Sequence, residues 1–439
     1  MSASEPINFT FPDQNEPIRT RRPAHETGAE HMVKYERAIT LMKALPRSDP
    51  RSFYQQANIH CAYCTGAYRQ DGNPELNVQI HFSCWDVPEG MRLPLAFANA
   101  SSPLYDSLRN PGHAPPRVVD LDYDRGVEKN YTDEEQIQHN LRVMYKQMIS
   151  NAPLASLFHG QPYRAGEADK PSAGTVEIYP QNTMHTWTGD LSHLNVENMG
   201  VYYSAGRDPV FYPHHANIDR LWEVWRNTAT GDRSHTIFTD PDWLDSSFLF
   251  YDEEARLVRI TVRDVLNIEK LRYAYDDKVG IPWLNARPPL TPNVNNKVKG
   301  GLLEYVRFPL SLNVTVTTVL RRPSILEMPI EIENLEEVLV VEGIETDGTS
   351  IAKFDVFINA REHEKVEPSG RERAGTFVCL KHLVDNSARG EGVDTSKRVA
   401  LNEILEDMGA KEDDIVTVTL VLRHENIRIR GLRIVHMVE

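Results

Sequence analysis

The last third of the chain has the sequence pattern of a β-rich domain. Six runs rich in β-branched residues are separated by turns: LNVTVTTVL, EVLVVEG, AKFDVFIN, GTFVCLKHL, IVTVTLVLR and IRIRGLRIV. Such runs predict an antiparallel β sandwich over residues 302–439, interrupted by one short helix at 399–408. The preceding segment, 280–301, is rich in proline, asparagine and glycine and is the best linker candidate.

The region before that linker has helical periodicity instead. Apolar residues at spacings of three and four predict an amphipathic helix over 30–45. A second helix is expected to begin at Thr132, which forms a capping box with Glu135. A third is expected near 211–226, after Asp208 as its cap. The sequence therefore predicts an α+β protein with four parts: an extended lead-in at 1–28, a mainly helical domain at 29–279, the linker at 280–301 and the β domain at 302–439.

Charge and composition exclude several classes of function. The chain of 439 residues has 63 acidic and 48 basic side chains, a net charge of −15, which argues against nucleic acid or an anionic membrane as partner. No apolar run reaches the roughly 18 residues of a membrane span. The N-terminus shows neither a signal core nor transit-peptide character, so we expect a cytosolic protein or one whose leader is absent from this sequence. Four cysteines are too few for a disulfide scaffold.

A first cluster of metal-binding residue types lies in the N-terminal part. Cys61, Cys64, His81 and Cys84 have the spacing C-x2-C-x16-H-x2-C, which is typical of a structural Cys3His zinc site. Alternatively, His60 and His81 provide imidazoles to copper and the cysteines have other roles. A third interpretation is that these are buried small residues without a metal.

Two later segments carry further histidines. His185 stands alone in MHTWTG, where a structural histidine is the simpler interpretation. His214 and His215 are adjacent, and adjacent residues of a helix point about 100° apart, so the two cannot easily share one metal. Asp219 follows His215 by four residues and can orient its imidazole from the same helix face. This favours His215 as a ligand and gives His214 a structural role.

Taken together, these segments resemble plant polyphenol oxidase, also called catechol oxidase. The motifs occur in order over nearly the whole chain: HCAYC, MHTWTGD, GRDPVFYPHHANIDRLW, DWL at 242–244, YAY at 273–275 and KFDV at 353–356. The resemblance implies a helical bundle in which three histidines hold each of two coppers, followed by a C-terminal β domain that covers the site in the latent form. It also implies that a small phenolic substrate, an o-diphenol, is oxidised to an o-quinone by dioxygen.

The resemblance implies a role for each matching residue. His60 and His81 would hold the first copper, and Cys64 would form a thioether with His81, which displaces the zinc interpretation. His185 and His215 would hold the second copper.

Three more residues match family positions near the substrate. Glu177 would match the acid that positions a water beside the substrate hydroxyl. Asn182 would match the residue that tunes phenol deprotonation, and Tyr202 stands where the family often has a phenylalanine gate.

The sequence departs from the family pattern at two places. After His81 the family has a stretch with a Phe-His-Arg-Trp-Tyr core, but this chain passes from Ser83 directly to Cys84. The first histidine expected at the second copper is Gln181, and a neutral amide is a poor copper ligand. We therefore expect a bundle truncated by one helix and weaker copper binding.

Three hypotheses follow from the sequence. The first is a copper-dependent o-diphenol oxidase with reduced activity. The second is a non-catalytic protein of oxidase descent that binds one copper or none. The third is a structural zinc protein. The resemblance implies a plastid location, often the thylakoid lumen, whereas the N-terminus leaves a cytoplasmic location open, and the sequence sets no oligomeric state.

Overall fold

A computed structural model of the protein comprises two compact units. It describes residues 5–64, 91–124, 127, 129–161, 172–227, 240–277, 279–292, 294, 306–323, 335–346, 351–379, 393–424 and 427–438. The first unit comprises Met1–Val119 and Met184–Ile281, and the second comprises Asp120–Thr183 and Pro282–Glu439. The four-part division of the sequence analysis stays a prediction. None of the helices within the described ranges is long and apolar enough to cross a membrane.

Ten α-helices and thirteen strands are defined within the described ranges. The helices are α1 Ala29–Ala44, α2 Phe53–Cys64, α3 Leu95–Ala98, α4 Asp133–Tyr145, α5 Ala155–Phe158, α6 Thr183–Thr188, α7 Phe211–Asn227, α8 Pro241–Asp245, α9 Val262–Val265 and α10 Asn402–Asp407. The strands are β1 Ile7–Asn8, β2 Arg19–Arg21, β3 Ser247–Tyr251, β4 Leu257–Thr261, β5 Tyr273–Tyr275, β6 Leu310–Leu312, β7 Val316–Arg321, β8 Glu336–Thr346, β9 Ala352–Ile358, β10 Arg373–Cys379, β11 Val393–Ala400, β12 Ile415–His424 and β13 Ile427–Met437.

Helix α2 packs close to the turn at Ala205–Arg207 because Gly206 in that turn has no side chain. A Cβ added at Gly206 would lie 3.2 Å from Cα of Ala57 and 3.4 Å from Cβ of His60. These distances are tighter than ordinary van der Waals contact, so glycine allows the helix and the turn to pack at this separation. The same packing fixes where α2 presents His60.

Helix α7 begins where its sequence signals predict. The Asp208 carboxylate accepts a hydrogen bond from the Val210 amide at 2.8 Å, and Asp208 O accepts one from the Phe211 amide at 3.0 Å. These bonds satisfy amides that a helix start leaves without an intrahelical partner. Ile218 and Leu221 are buried on this helix, so its amphipathic face packs inward.

Two short parts of the N-terminal lead-in are strands. Strand β1 pairs parallel with β4, which in turn pairs antiparallel with β3. Strand β2 pairs parallel with β5. The backbone groups of the lead-in therefore have partners about 250 residues away in sequence, a pairing that local periodicity does not reveal.

In the second unit, helix α4 confirms the predicted capping box. The Thr132 hydroxyl accepts from the Glu135 amide at 3.3 Å, and the Glu135 carboxylate accepts from the Thr132 amide at 2.8 Å. A π-helical turn, Lys146–Ser150, continues α4 directly. A second π-helical segment, Glu177–Asn182, continues directly into α6.

The predicted antiparallel sandwich is confirmed in the second unit. One sheet has the order β10-β9-β12-β7 and the other β11-β8-β13-β6, each with four antiparallel strands. Side chains such as Leu339, Phe354 and Val418 are fully buried in the shared core. The short helix α10 is shorter than the predicted 399–408, because Ala400 still pairs with Val338 in the β11–β8 ladder.

A buried ion network joins residues of the second unit that are far apart in sequence. Arg373 donates two hydrogen bonds to Asp122, at 2.6 and 2.9 Å, and a third to Asp355 at 2.7 Å. Lys129 and Lys353 lie 3.3 and 3.9 Å from the Asp122 carboxylate. Although burial opposes it, these cations hold the pKa of Asp122 well below its usual range.

Because Asp122 neutralises Arg373 in a buried place, Asp122→Asn should lower the free energy of unfolding by about 3–5 kcal/mol. Denaturation in urea at neutral pH measures this. Asp245→Asn is the matched control, since Asp245 pairs with Arg263 at 2.7 Å on an exposed surface and should change stability by less than about 1 kcal/mol. Equal effects of the two variants would contradict a structural role for the buried network.

Candidate functional site

His185 is held in one tautomer by the backbone of a neighbouring loop. Its Nδ1 lies 2.6 Å from Met199 O, and both residues are buried. A carbonyl oxygen only accepts hydrogen bonds, so Nδ1 carries the hydrogen and Nε2 keeps its lone pair. Burial lowers the pKa of His185 to about 4, although the bond to Met199 opposes this, so the ring is neutral near pH 7. A neutral, oriented imidazole is the form that binds metals.

Two glycines allow the loop that carries Met199 to fold back onto α6. A Cβ added at Gly189 would lie 2.5 Å from Cα of Gly200, a distance that real Cβ atoms essentially never show. Any other side chain at this place would push the two backbone segments apart. The Met199 carbonyl would then move away from His185.

His185, His214 and His215 form one group in the first unit. Each offers a ring nitrogen, and the three nitrogens lie within 4.8 Å of one another. Three nitrogens that each lie about 2.1 Å from one metal ion are about 3.4–3.6 Å apart, so rings whose nitrogens are up to 4.8 Å apart must draw closer to share a metal. The sequence analysis gives His214 a structural role, whereas the structure brings it into the same group as His215.

Two further aromatic side chains and His60 surround this group. The Phe211 ring lies 3.6 Å from the His215 ring and 4.4 Å from the His60 ring, centroid to centroid. The His60 and His215 rings are 6.1 Å apart and meet edge to face. The Tyr202 ring, predicted as a gate, lies 6.3 Å from that of His185. The Phe211 ring thus lies within 6.4 Å of the rings of His60, His185 and His215, which come from α2, α6 and α7.

Asp219 lies one turn after His215 on α7 and accepts hydrogen bonds from β5 and the lead-in. Its Oδ2 accepts from the hydroxyls of Tyr273 at 2.6 Å and Tyr275 at 2.5 Å, and from Arg21 at 3.1 Å. The Arg21 guanidinium also stacks 3.7 Å above the Tyr273 ring, a cation–π contact. These contacts anchor α7, and the predicted role of Asp219 in orienting His215 stays a prediction.

The second unit holds the other candidate residues. Gln181 and Asn182 are buried, and Gln181 Oε1 has no hydrogen-bond partner among the described residues. Burial raises the pKa of Glu177 to about 7, although the positive charge of Lys397 opposes this. Lys397 on β11 is itself buried, and burial lowers its pKa to about 8. A carboxyl group with a pKa near 7 exchanges protons readily at neutral pH.

Part of the first predicted cluster lies outside the described residues. His81, Cys84 and the Cys64 side chain belong to that part, so the thioether and the zinc site stay predictions. Cys61 is half-buried at the end of α2, next to His60.

Sequence reasoning missed several groups that shape the site. The bond from His185 to Met199 depends on a loop conformation, and only Gly189 and Gly200 hint at it. The interaction of Glu177 with Lys397 joins residues 220 positions apart and has no local signal. The position of Phe211 between two histidines follows from the packing of α2 against α7.

Three family profiles match successive parts of the chain. Residues 87–228 match the family profile "Common central domain of tyrosinase", residues 238–289 match "Polyphenol oxidase middle domain", and residues 308–436 match "Chloroplastic Polyphenol Oxidase C-terminal domain". The first of these ranges contains the group of three histidines and begins after His60 and His81.

Curated relatives align over nearly the full chain. A chloroplastic polyphenol oxidase of Malus domestica is 42% identical over 480 residues, which covers 98% of this chain and 79% of the relative. Aureusidin synthase of Antirrhinum majus is 41% identical and covers 98% of this chain and 83% of the relative. The alignment with the first is longer than the 439 residues of this chain, so that relative contains residues absent here.

Solved structures agree with the fold. Latent apple tyrosinase is 42% identical with a TM-score of 0.89, covering 99% of this chain and all of that one. A latent aurone synthase, also a polyphenol oxidase, is 35% identical with a TM-score of 0.89, covering 99% of this chain and 92% of that one. These findings favour the oxidase hypothesis over the zinc protein and the non-catalytic remnant. The chain belongs to the plant polyphenol oxidases, tyrosinase-like oxidoreductases of the type 3 copper family that make quinones.

Proposed function

We propose that this chain oxidises o-diphenols to o-quinones and that His185, His214 and His215 hold a copper ion for this reaction. The observation that carries the proposal is the convergence of three imidazole nitrogens within 4.8 Å. Elemental analysis of the purified protein, together with oxygen uptake in the presence of catechol, tests it.

The donor set fits copper and not magnesium, which prefers oxygen ligands. Three imidazoles without a thiolate or carboxylate are nitrogen ligands that suit both copper oxidation states. His185 is neutral near pH 7 and its ring is fixed by Met199, so binding there needs neither proton release nor reorientation. Copper bound in this group would supply the redox chemistry with dioxygen.

The family resemblance extends the proposal to a second metal. His60 and His81 are assigned to the first copper, and Cys64 to a thioether with His81. The ring distance of 6.1 Å between His60 and His215 supports a place for His60 beside the three-histidine group. Because the sequence passes directly from Ser83 to Cys84, the first copper has fewer candidate histidines than the second.

The substrate class follows from the chemistry that the remaining residues can perform. Each o-diphenol loses two protons and two electrons on becoming an o-quinone, so two o-diphenols reduce one dioxygen to two waters. By resemblance, Glu177 positions a water near the substrate hydroxyl and Asn182 tunes phenol deprotonation. A pKa near 7 suits Glu177 for this task. Tyr202 is assigned as the gate.

We also infer a plastid location. The printed names of several relatives, including those of Vicia faba, Malus domestica and Vitis vinifera, are chloroplastic polyphenol oxidases. An import assay with isolated chloroplasts tests this inference.

His185→Ala should lower the copper content by about one ion per chain and the catechol-dependent oxygen uptake by at least about 100-fold, because a buried site keeps only two imidazoles. His31→Ala is the matched control, since His31 is exposed on α1 and should leave both values unchanged. Unchanged copper content in His185→Ala would refute the proposed ligand set. Retained copper with lost activity would place His185 in substrate handling instead.

Gln181→His should change the oxidase activity by less than about threefold, because His214 already supplies a third imidazole to the group. The rate of quinone formation measures the effect, with Gln147→His as a control at another buried glutamine of the second unit. An increase of tenfold or more would show instead that Gln181 limits the second copper.

The raised pKa of Glu177 makes stability depend on pH in a defined direction. Its folded value, about 7, lies above the ordinary 4.5, so its contribution is fully present below pH 4.5 and is lost as the pH rises through 7. The stability of the wild type relative to Glu177→Gln should fall by about 3 kcal/mol between pH 4 and 8. Urea denaturation across this range measures it. Exposed Glu412→Gln should show no such slope, and a flat difference for Glu177→Gln would contradict the raised pKa.

A further inference from the structure

The turn of residues 109–113 contacts both helices that carry the three-histidine group. At one end of the turn, Arg109 pairs at 2.6 Å with Asp208, the residue that caps α7. At the other end, His113 Nδ1 lies 2.6 Å from the carbonyl oxygen of Trp187 on α6. Helix α6 carries one histidine of the group and α7 carries the other two. The turn therefore joins the end of one of these helices to the start of the other.

The turn is held in one shape by its own sequence. Pro111–His113 form a short 3₁₀-helix that begins with proline and has Asn110 as its cap. The Asn110 side chain accepts from the Gly112 amide at 3.0 Å, and the His113 amide donates to Asn110 O at 3.1 Å. Proline fixes its own φ and the cap satisfies an amide that the helix leaves without a partner. The separation between Arg109 and His113 is therefore set locally.

The last carbonyls of α6 accept hydrogen bonds from this turn. The Asn110 amide donates to Thr188 O at 2.9 Å. His113 Nδ1 donates to Trp187 O, since a carbonyl oxygen only accepts. The rings of His113 and Trp187 also stack face to face, 3.5 Å apart with an interplanar angle of 2°. The end of a helix leaves these carbonyls without intrahelical partners, so the turn stabilises the end of α6 in this position.

Gly189 connects the end of α6 to His185. It forms an isolated antiparallel β-bridge with Arg109 of the turn, and its amide donates to His185 O at 3.0 Å. The ring of His185 is held separately, by the carbonyl of Met199. The backbone of His185 is thus held through the segment that His113 stabilises, whereas its ring is oriented from another loop.

We propose that His113 is a positioning residue for the three-histidine group. Through its bond and its stack with Trp187, it fixes the end of α6 on the turn, and the pair of Arg109 and Asp208 fixes the turn on the start of α7. This bracing limits how far the ring of His185 can move from the two histidines of α7. His113 acts through α6 and not by binding copper. The inference rests on the proposed copper ligands, to which it adds a residue that sets their spacing.

Titration of the metal-free full chain with copper, against a competing chelator, tests the proposal at the ion that is lost in His185→Ala. His113→Phe keeps a flat ring for the stack but removes the donor, so the copper affinity should fall about tenfold, as for other residues that orient metal ligands. His113→Asn places an amide donor near the position of Nδ1 and should restore the affinity to within about threefold of the wild type. His31→Phe, at an exposed histidine of α1, is the matched control and should bind like the wild type.

Amide hydrogen exchange in the metal-free protein separates this inference from the proposed function. The Gly189 amide should exchange about tenfold faster in His113→Phe and near the wild-type rate in His113→Asn, while unfolding in urea shows that both variants are folded. Unchanged exchange in His113→Phe would overturn the bracing. Faster exchange with unchanged copper affinity would overturn the positioning role, as would an equal loss of affinity in both variants. A wild type that binds no copper but shows these exchange rates would contradict the proposed copper ligands alone.

Discussion

The buried pair of Arg109 and Asp208 is the interaction on which the first unit depends. Arg109 donates to both carboxylate oxygens, at 2.8 and 2.6 Å, and also to the carbonyls of Phe97 and Leu104. Burial raises the pKa of Asp208, and Arg109 opposes this. Removing either partner would leave an uncompensated buried charge, which costs about 3–5 kcal/mol. The pair therefore holds the long loop of residues 91–119 in place.

The same carboxylate also sets the start of α7. Asp208 accepts from the Val210 amide, so the residue that neutralises Arg109 also caps the helix that carries His214 and His215. The loop of residues 91–119 and the start of the helix that carries His214 and His215 thus depend on the same buried ion pair.

The sequence allows prediction of features that arise from local patterns. The apolar spacing in α1, the capping box of α4, the start of α7 and the β-branched runs of the sandwich all appear as expected. What could not be predicted depends on contacts between distant segments. The bond from Met199 to His185, the influence of Lys397 on Glu177 and the pairing of the lead-in with β4 and β5 are of this kind. The structural role predicted for His214 stays a prediction, since side-chain torsions can bring the ring nitrogens of adjacent residues together even when their Cα–Cβ bonds diverge.

The three histidines proposed as a copper site lie in a different part of the sequence from the departure from the family pattern. His185, His214 and His215 stand on α6 and α7, and their supports are the Met199 carbonyl and the Asp208 cap, all within residues 184–281 of the first unit. The departure from the family pattern lies between Ser83 and Cys84, near the residues assigned to the other copper. The copper site proposed for the three histidines therefore takes its ligands from residues 185–215, whereas the proposed reaction with dioxygen at a metal pair would also need the residues assigned to the first copper.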